Sequence, residues 1–250
     1  MGSEKLVSII IPMYNSEKHI EETIQSVLNQ SYKNFEILII DDLSRDNSRE
    51  IVKKYMDLDT RIKLIENETN MGVSYSRNLA ISLAKGKYVA FLDSDDLWNE
   101  DKLAKQIKFM EERNIRFTYT NYRKISENGE KRGVIEVPER VNYKELLKGN
   151  IIGCLTVVIR KDLIEKYKFM DTKQEDYILW LEILKEIPFA YGIREELARY
   201  RVLKSSRSSN KIKMSLFNWN IYRKIEGLSL CKSIYLYLIY LKRGFNRYLK

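Results

Sequence analysis

The stretch YVAFLDSDD at residues 88–96 decides the fold class, because an unbroken apolar run ends there in three aspartates. A short apolar run without alternation is typical of a strand that is buried on both faces. Similar runs lie earlier, LVSIIIP at 6–12 and FEILII at 35–40, and the second is followed by Asp41 and Asp42. We predict a further strand at 62–65 and intervening helices at 20–28, about 44–56 and 73–84. This alternation predicts an α/β fold with a mostly parallel, Rossmann-like sheet and helices on both faces.

The regular alternation weakens in the second half of the chain, after a predicted helix at about 101–113. Further strands are expected at 117–122 and 156–160, and further helices at 142–148 and 177–186. The mixed order indicates that elements other than simple crossovers complete the sheet. We expect one α/β domain over residues 1–210 and a helical tail over 211–250.

Composition excludes several classes of protein. The chain has 250 residues, 44% of them hydrophobic, with 17 Tyr and 8 Phe, which argues against disorder. Cys154 and Cys231 are too few for a disulfide scaffold, and the single histidine, His19, argues against a zinc site of His and Cys ligands or a His-based hydrolase. There is no secretory signal and no run of the roughly 18–20 apolar residues that cross a membrane. The sequence therefore predicts a cytoplasmic protein.

The formal net charge of +9 raises the alternative of a basic nucleic-acid-binding protein. Residues 199–250 hold 13 Lys or Arg and one acid, a charge of +12, which leaves −3 for residues 1–198. A nucleic-acid-binding domain would carry basic residues throughout its folded part. The charge distribution thus favours a basic tail on an acidic domain, and we expect no nucleic-acid partner.

Acidic residues follow two of the predicted parallel strands, at 41–42 and 93–96. Ligands of open α/β sheets bind beyond the carboxyl ends of the strands, so both groups are expected at the binding edge. Carboxylates gathered there repel one another unless a divalent cation and a nucleotide diphosphate neutralise them. The alternative for Asp41 and Asp42 is a helix cap. Neither a GxGxxG nor a GxxxxGK[ST] loop is present, so side chains and metal would hold the phosphates.

Four motifs occur in a fixed order: SIIIPMYN at 8–15, IIDDLSRD at 39–46, NMGVSYSRN at 70–78 and FLDSDD at 91–96. Over residues 5–200 the sequence resembles family 2 glycosyltransferases. The resemblance implies the GT-A fold, inversion at the transferred sugar, and a nucleotide-binding half at about 5–100 before an acceptor-binding half at about 101–210. It also implies a divalent metal, Mn²⁺ or Mg²⁺, and a nucleotide-sugar donor, which we expect to be a UDP-sugar.

Carried over residue by residue, the resemblance implies these roles. The donor nucleotide would contact Pro12, Tyr14, Asn15, Asp42, Arg77, Asp93 and Asp95, and the metal would bind at Asp95 and Asp96. QEDY at 174–177 resembles the acidic pair that precedes the acceptor-site helix, which makes Asp176 the general base. Inversion by direct displacement needs one carboxylate to accept the acceptor's proton, which agrees with that assignment. The alternative is that Glu175 and Asp176 only cap the following helix.

One departure from the family concerns the segment YRVL at 200–203, where many members carry a histidine near the metal or phosphate. The diphosphate would then depend on nearby basic side chains, for which the candidates are Arg199, Arg201, Lys204 and Arg207. The alternative is that this segment is a solvated basic linker.

The tail contains an apolar run, IYLYLIYL at 234–241, with Lys232 before it and Lys242, Arg243, Arg247 and Lys250 after it. The run is too short to span a bilayer, and its tyrosines suit the membrane interface. We predict that the tail binds an anionic membrane surface at the inner face of the cell membrane. A helix packed on the domain or on a second copy of the chain is the alternative.

The sequence thus predicts transfer of a sugar to a hydroxyl of a glycan or lipid-linked saccharide, as in bacterial surface polysaccharide synthesis. A non-catalytic nucleotide-binding protein is the alternative function.

Overall fold

The computed structural model describes residues 4–203 and 211–246, with the side chains of 211–213 and 244–246 left out. Within these residues one sheet holds ten strands. They are β1 Val7–Met13, β2 Phe35–Asp41, β3 Ile62–Glu66, β4 Tyr88–Phe91, β5 Leu97–Trp98, β6 Phe117–Ile125, β7 Lys131–Ile135, β8 Arg140–Val141, β9 Val158–Arg160 and β10 Ala190–Arg201.

The strand order is β3-β2-β1-β4-β9-β6-β10-β5, with β7 paired to β6 and β8 paired to β10. The first four strands of this order run parallel, whereas β9 is antiparallel to both of its neighbours, β4 and β6. The sheet is therefore parallel from β3 to β4 and mixed beyond β4. This arrangement confirms the predicted α/β fold and the predicted loss of regular strand–helix alternation in the second half of the chain.

The helices are α1 Ile20–Leu28, α2 Ser48–Leu58, α3 Val73–Leu83, α4 Lys102–Arg113, α5 Tyr143–Leu146, α6 Lys161–Ile164, α7 Glu175–Glu186, α8 Lys211–Asn220 and α9 Leu230–Asn246. The sheet separates two hydrophobic cores, and β1 shows why. Ile10 points into one core, whereas Ile9 and Ile11 point into the other, because successive side chains of a strand alternate between faces. Both faces are covered by helices, so every residue of β1 is buried.

Strand β10 was not predicted, although it is the longest strand of the described residues. Its centre, Arg194-Glu195-Glu196, is charged, and two register shifts against β6 interrupt the alternation there. A strand that bulges twice does not keep the two-residue period by which strands are recognised.

The tail forms α8, a π-helical turn at Ile221–Ile225, and α9. One face of α9 packs on the domain, where Leu236 joins a hydrophobic core. Another face is exposed and apolar, and it carries Leu230, Ile234, Leu238 and Leu241. Across the described ranges, no helix combines the length and the apolar character that crossing a bilayer requires. Arg247 and Lys250 lie outside these ranges.

Candidate active site

The predicted donor-site residues gather at the carboxyl edge of the parallel strands. Met13 pairs with Asp41, and Leu92 donates its backbone N–H to Ile10 O, so the loops after β1, β2 and β4 leave the sheet side by side. A first cavity of about 370 Å³ opens among these loops. Six of the seven predicted donor-site residues line it: Pro12, Tyr14, Asp42, Arg77, Asp93 and Asp95.

The seventh, Asn15, does not line the first cavity. Its side-chain oxygen accepts a hydrogen bond from Arg45 N at 2.8 Å, and its own backbone N–H donates to Ser44 Oγ at 2.9 Å. Asn15 also has a left-handed backbone, with φ of 48°. It therefore ties the loop after β1 to the loop after β2.

Asp42 is buried and organises the loop before α3. Its carboxylate accepts hydrogen bonds from the backbone N–H groups of Met71 at 2.7 Å and Gly72 at 2.8 Å, and from the Asn67 side chain at 2.9 Å. Gly72 has a φ of 84°, a conformation that only glycine adopts without strain. Asp42 thus fixes the floor of the first cavity.

A second cavity of about 570 Å³ continues from the first. The two share a set of lining residues: Tyr14, Arg77, Asp93, Asp95 and Glu175. The second cavity extends to Asp176 and to the segment 150–155. The aspartates after β4 and the acidic pair of α7 therefore face one space.

Arg77 joins these two acidic groups. Its guanidinium, which is 4% exposed, donates to Asp93 Oδ1 at 2.7 Å and to Glu175 Oε1 at 2.9 Å. The ring of Phe169 lies 5.2 Å from the guanidinium carbon and covers it. A buried cation shared by two carboxylates holds β4 and α7 at a fixed separation.

Asp95 and Asp96 are held in an environment that disfavours their charge. Burial, followed by the charge of Asp93, raises the pKa of Asp95 to about 6. The pKa of Asp96 is also raised, first by burial and then by Asp95 and Asp93. Asp96 Oδ2 is buried and has no hydrogen-bond partner among the described residues. A positive group in the cavity would relieve all of these costs.

This donor set fits a hard divalent cation, since Mg²⁺ and Mn²⁺ prefer carboxylate oxygens and Asp96 offers a buried oxygen to which no described residue donates a hydrogen bond. Among the residues that the structure describes, however, no three His, Cys, Asp or Glu side chains are arranged to enclose a metal. A metal here would thus depend on one or two aspartates together with oxygens of the substrate.

Asp176 lies in the first turn of α7, where carboxylates are favoured by the helix dipole. Its Oδ1 accepts from Tyr177 N at 2.7 Å, and its Oδ2 accepts from the Asn150 side chain at 3.3 Å. Burial, followed by the neighbouring charge of Glu175, raises the pKa of Asp176 to about 7. A carboxylate with that pKa can accept a proton near neutral pH.

The basic candidates lie in three different settings. Arg199 does not line either cavity. Arg201 lines the second cavity, but its guanidinium donates to Asp95 O, Glu127 O and Glu22 Oε2, at 2.6 to 2.8 Å. Lys204 and Arg207 lie outside the described residues.

Sequence reasoning missed how several residues take part. The sequence suggests only a helix cap for Glu175, yet this residue is a partner of Arg77, 98 residues away in the chain. Asn150 and Lys173 line the second cavity without belonging to any motif. No pattern in the sequence signals such residues, because only the fold brings them to the site.

An α/β sheet with an acidic cavity at its carboxyl edge is the arrangement expected of a glycosyltransferase. Comparison with known proteins gives the family. The chain belongs to glycosyltransferase family 2, since the family model described as "Glycosyl transferase family 2" matches residues 8–167.

Two curated relatives match over nearly their whole length. A putative teichuronic acid biosynthesis glycosyltransferase, TuaG, of Bacillus subtilis is 41% identical over 97% of both chains. WfgD of Escherichia coli, named as a UDP-Glc:alpha-D-GlcNAc-diphosphoundecaprenol beta-1,3-glucosyltransferase, is 41% identical over 97% of this chain and 95% of its own. Among solved structures, S. aureus TarS 1–349 in complex with UDP-GlcNAc has a TM-score of 0.74 at 23% identity, covering 96% of this chain and 72% of TarS 1–349. That likeness establishes the fold.

Proposed function

We propose that this glycosyltransferase moves a sugar from a UDP-sugar to a hydroxyl of a lipid-linked saccharide, with inversion and with the help of a divalent metal. The observation that carries the proposal is that Asp176 and the aspartates at 93–96 line one cavity, so a base and a site for the leaving diphosphate face each other. The name of the WfgD relative, which specifies a UDP-sugar donor and a diphosphoundecaprenol acceptor, supports these substrate classes.

Each cavity has its own part in this proposal. The first cavity, with Pro12, Tyr14 and Asp42, would hold the nucleoside, and Arg77, Asp93 and Asp95 would lie towards the diphosphate. The second cavity would hold the acceptor. The chain is thereby divided into a nucleotide-binding half at about 5–100 and an acceptor-binding half at about 101–210.

The reaction we propose is a single displacement. The acceptor oxygen bonds to the anomeric carbon as the bond from that carbon to the diphosphate breaks, and Asp176 takes the proton from the attacking hydroxyl. The raised pKa of Asp176, about 7, makes its carboxylate basic enough for this step. Attack from the side opposite to the leaving group inverts the sugar.

A bound metal would supply positive charge to the leaving diphosphate. Asp95 and Asp96 would hold it. Arg201 would act indirectly, since its guanidinium holds Asp95 O and its backbone N–H holds Asp96 Oδ1.

The test is a donor panel assayed with a GlcNAc-diphosphate-lipid acceptor and Mn²⁺ or Mg²⁺. We expect acceptor-dependent release of UDP with one UDP-sugar, and a β-linked product from an α-linked donor. Transfer with retention of configuration would refute the single displacement, and activity with only non-uridine donors would refute the donor class.

We further propose that the exposed face of α9 binds an anionic membrane. Leu230, Ile234, Leu238 and Leu241 fall within an arc of about 80° on this helix. Three basic residues of α9 are also exposed: Lys242 lies about 40° beyond this arc, whereas Lys232 and Arg243 lie near the opposite side of the helix. An exposed apolar face bordered by a lysine suits a helix lying in the interface of an anionic bilayer, where a Lys or Arg near the surface contributes about 1 kcal/mol.

Vesicle co-sedimentation tests this surface with the full chain. Leu238→Glu, in the exposed face, should abolish binding to anionic vesicles, whereas Leu58→Glu, at a leucine 80% exposed on α2, should preserve it. Binding should weaken at high salt and on neutral lipid. If Leu238→Glu instead converts a dimer into a monomer and leaves sedimentation intact, the face binds a second copy of the chain.

A further inference from the structure

The walls of the second cavity carry three basic side chains, Arg77, Arg201 and Lys173. Arg77 is paired with Asp93 and Glu175, and Arg201 is paired with Glu22. Lys173 is exposed at the cavity wall, and among the residues that the structure describes it has no carboxylate within 4.0 Å. Its ammonium group lies 5.4 Å from the ring centre of Phe217 in α8.

The segment that carries Lys173 is fastened on both sides. Before it, Phe169 exchanges two hydrogen bonds with the Asn78 side chain, at 2.8 and 2.9 Å, and Met170 O accepts from Ser74 Oγ at 2.9 Å. After it, the buried Gln174 side chain donates to Met214 O at 3.3 Å. The backbone at Lys173 is thus held between α3 and α8, and its ammonium group is available to an anion.

Lys173 precedes Asp176 by three residues, which span at most about 11 Å of chain. If the reacting hydroxyl of the acceptor sugar lies at Asp176, the linkage on the opposite side of that sugar lies one sugar ring away from Asp176. The side chain of Lys173 also reaches α8, where it lies over the ring of Phe217, and the preceding residue in α8, Leu216, is 57% exposed. Asp176 and Lys173 thus line one cavity, and Lys173 in turn contacts an aromatic side chain of α8.

We propose that Lys173 binds the phosphate that joins the acceptor sugar to its lipid, with the sugar at Asp176 and the first part of the lipid along α8. This inference rests on the proposed function and adds a specificity-determining residue to it. A lysine ammonium is a compact cation with three hydrogen-bond donors. It can therefore bind a phosphate in a cleft whose carboxylates would otherwise repel that phosphate.

A matched pair of soluble acceptors tests the proposal without a membrane. Both carry GlcNAc and one short alkyl chain, joined through a diphosphate in the first and through a glycosidic oxygen in the second. Binding of each acceptor and of UDP is measured by calorimetry, and turnover is measured separately. The variants are Lys173→Gln, Lys173→Arg and, as a control of equal charge change, Lys168→Gln, an exposed lysine of the same segment that lies outside the second cavity.

We expect Lys173→Gln to weaken binding of the diphosphate acceptor by about 10- to 100-fold relative to the neutral acceptor, the loss typical of one hydrogen bond to a charged group. Lys173→Arg should restore most of that preference, and Lys168→Gln should keep it. Equal weakening of both acceptors would overturn the proposal, and so would a comparable loss of UDP binding, which would assign Lys173 to the donor. Absence of turnover with intact acceptor binding would refute the proposed function and leave the role of Lys173 standing.

Discussion

Replacing Asp176 with Asn should stabilise the protein while it removes catalysis. The structure raises the pKa of this carboxyl group from its ordinary value of 3.8 to about 7, chiefly by burial. At about 1.4 kcal/mol per pKa unit, the ionised carboxylate costs the folded state at most about 4 kcal/mol well above pH 7. Because the side chain opens onto a cleft, we expect roughly half of this limit, about 2 kcal/mol.

The sign follows from which state binds the proton more tightly. With a folded pKa above the unfolded one, the protonated carboxyl group stabilises the fold at low pH, and this contribution is lost as pH rises from about 4 through about 7. Asparagine does not ionise, so the Asn variant does not lose stability in this pH range. Its side-chain oxygen can still accept the hydrogen bond from Tyr177 N. The advantage of Asp176→Asn should therefore grow from pH 5 to pH 8.

Thermal and urea unfolding at several pH values measure this difference. We expect the Asn variant to melt roughly 4–8 °C higher at pH 8 and to gain clearly less at pH 5. Asp57→Asn, at an exposed position on α2, is the matched control and should show no such trend. An Asn variant that is less stable at pH 8, or whose advantage does not change with pH, would refute the burial argument.

The same variant should keep UDP binding and lose turnover by about two to four orders of magnitude, because a general base acts only in the transfer step. In the parent protein, turnover should rise with pH and level off above about 7, as Asp176 ionises. Near-normal turnover of Asp176→Asn would move the role of base to Glu175.

Two further predictions concern the aspartate loop. A chelator should abolish transfer, and Mn²⁺ or Mg²⁺ should restore it. Full activity in chelator would mean that basic side chains of the segment 199–207, and not a metal, neutralise the diphosphate. Arg201→Lys should lower stability by about 3 kcal/mol, seen as a melting point roughly 6–12 °C lower, because a buried guanidinium with three acceptors is replaced by a group of different geometry. Unchanged melting would show that these contacts contribute little.

The parallel half of the fold could be predicted because its strands are continuous apolar runs with helical spacing between them, as at 6–12 and 35–40. The acidic residues at 41–42 and 93–96, which follow two of these strands, then predicted a site at one edge of the sheet. The bulged strand β10 could not be predicted, because its charged centre and its two bulges interrupt the alternation of apolar and polar residues that marks a strand. The bridge from Arg77 to Glu175 was equally invisible, because it joins residues 98 positions apart and depends on how α3 and α7 pack.

The two ion pairs of Arg77 set a rule for building chimaeras between relatives. Arg77 and Asp93 belong to the first hundred residues and Glu175 to the second, so a crossover near residue 100 separates the guanidinium from one of its two partners. A hybrid that brings an uncharged residue to position 175 would leave the buried cation half-neutralised, a defect that costs about 3–5 kcal/mol when a pair is broken outright. Acceptor preference should therefore be transplanted with an acidic residue retained at that position, or with the whole bridge exchanged as one unit.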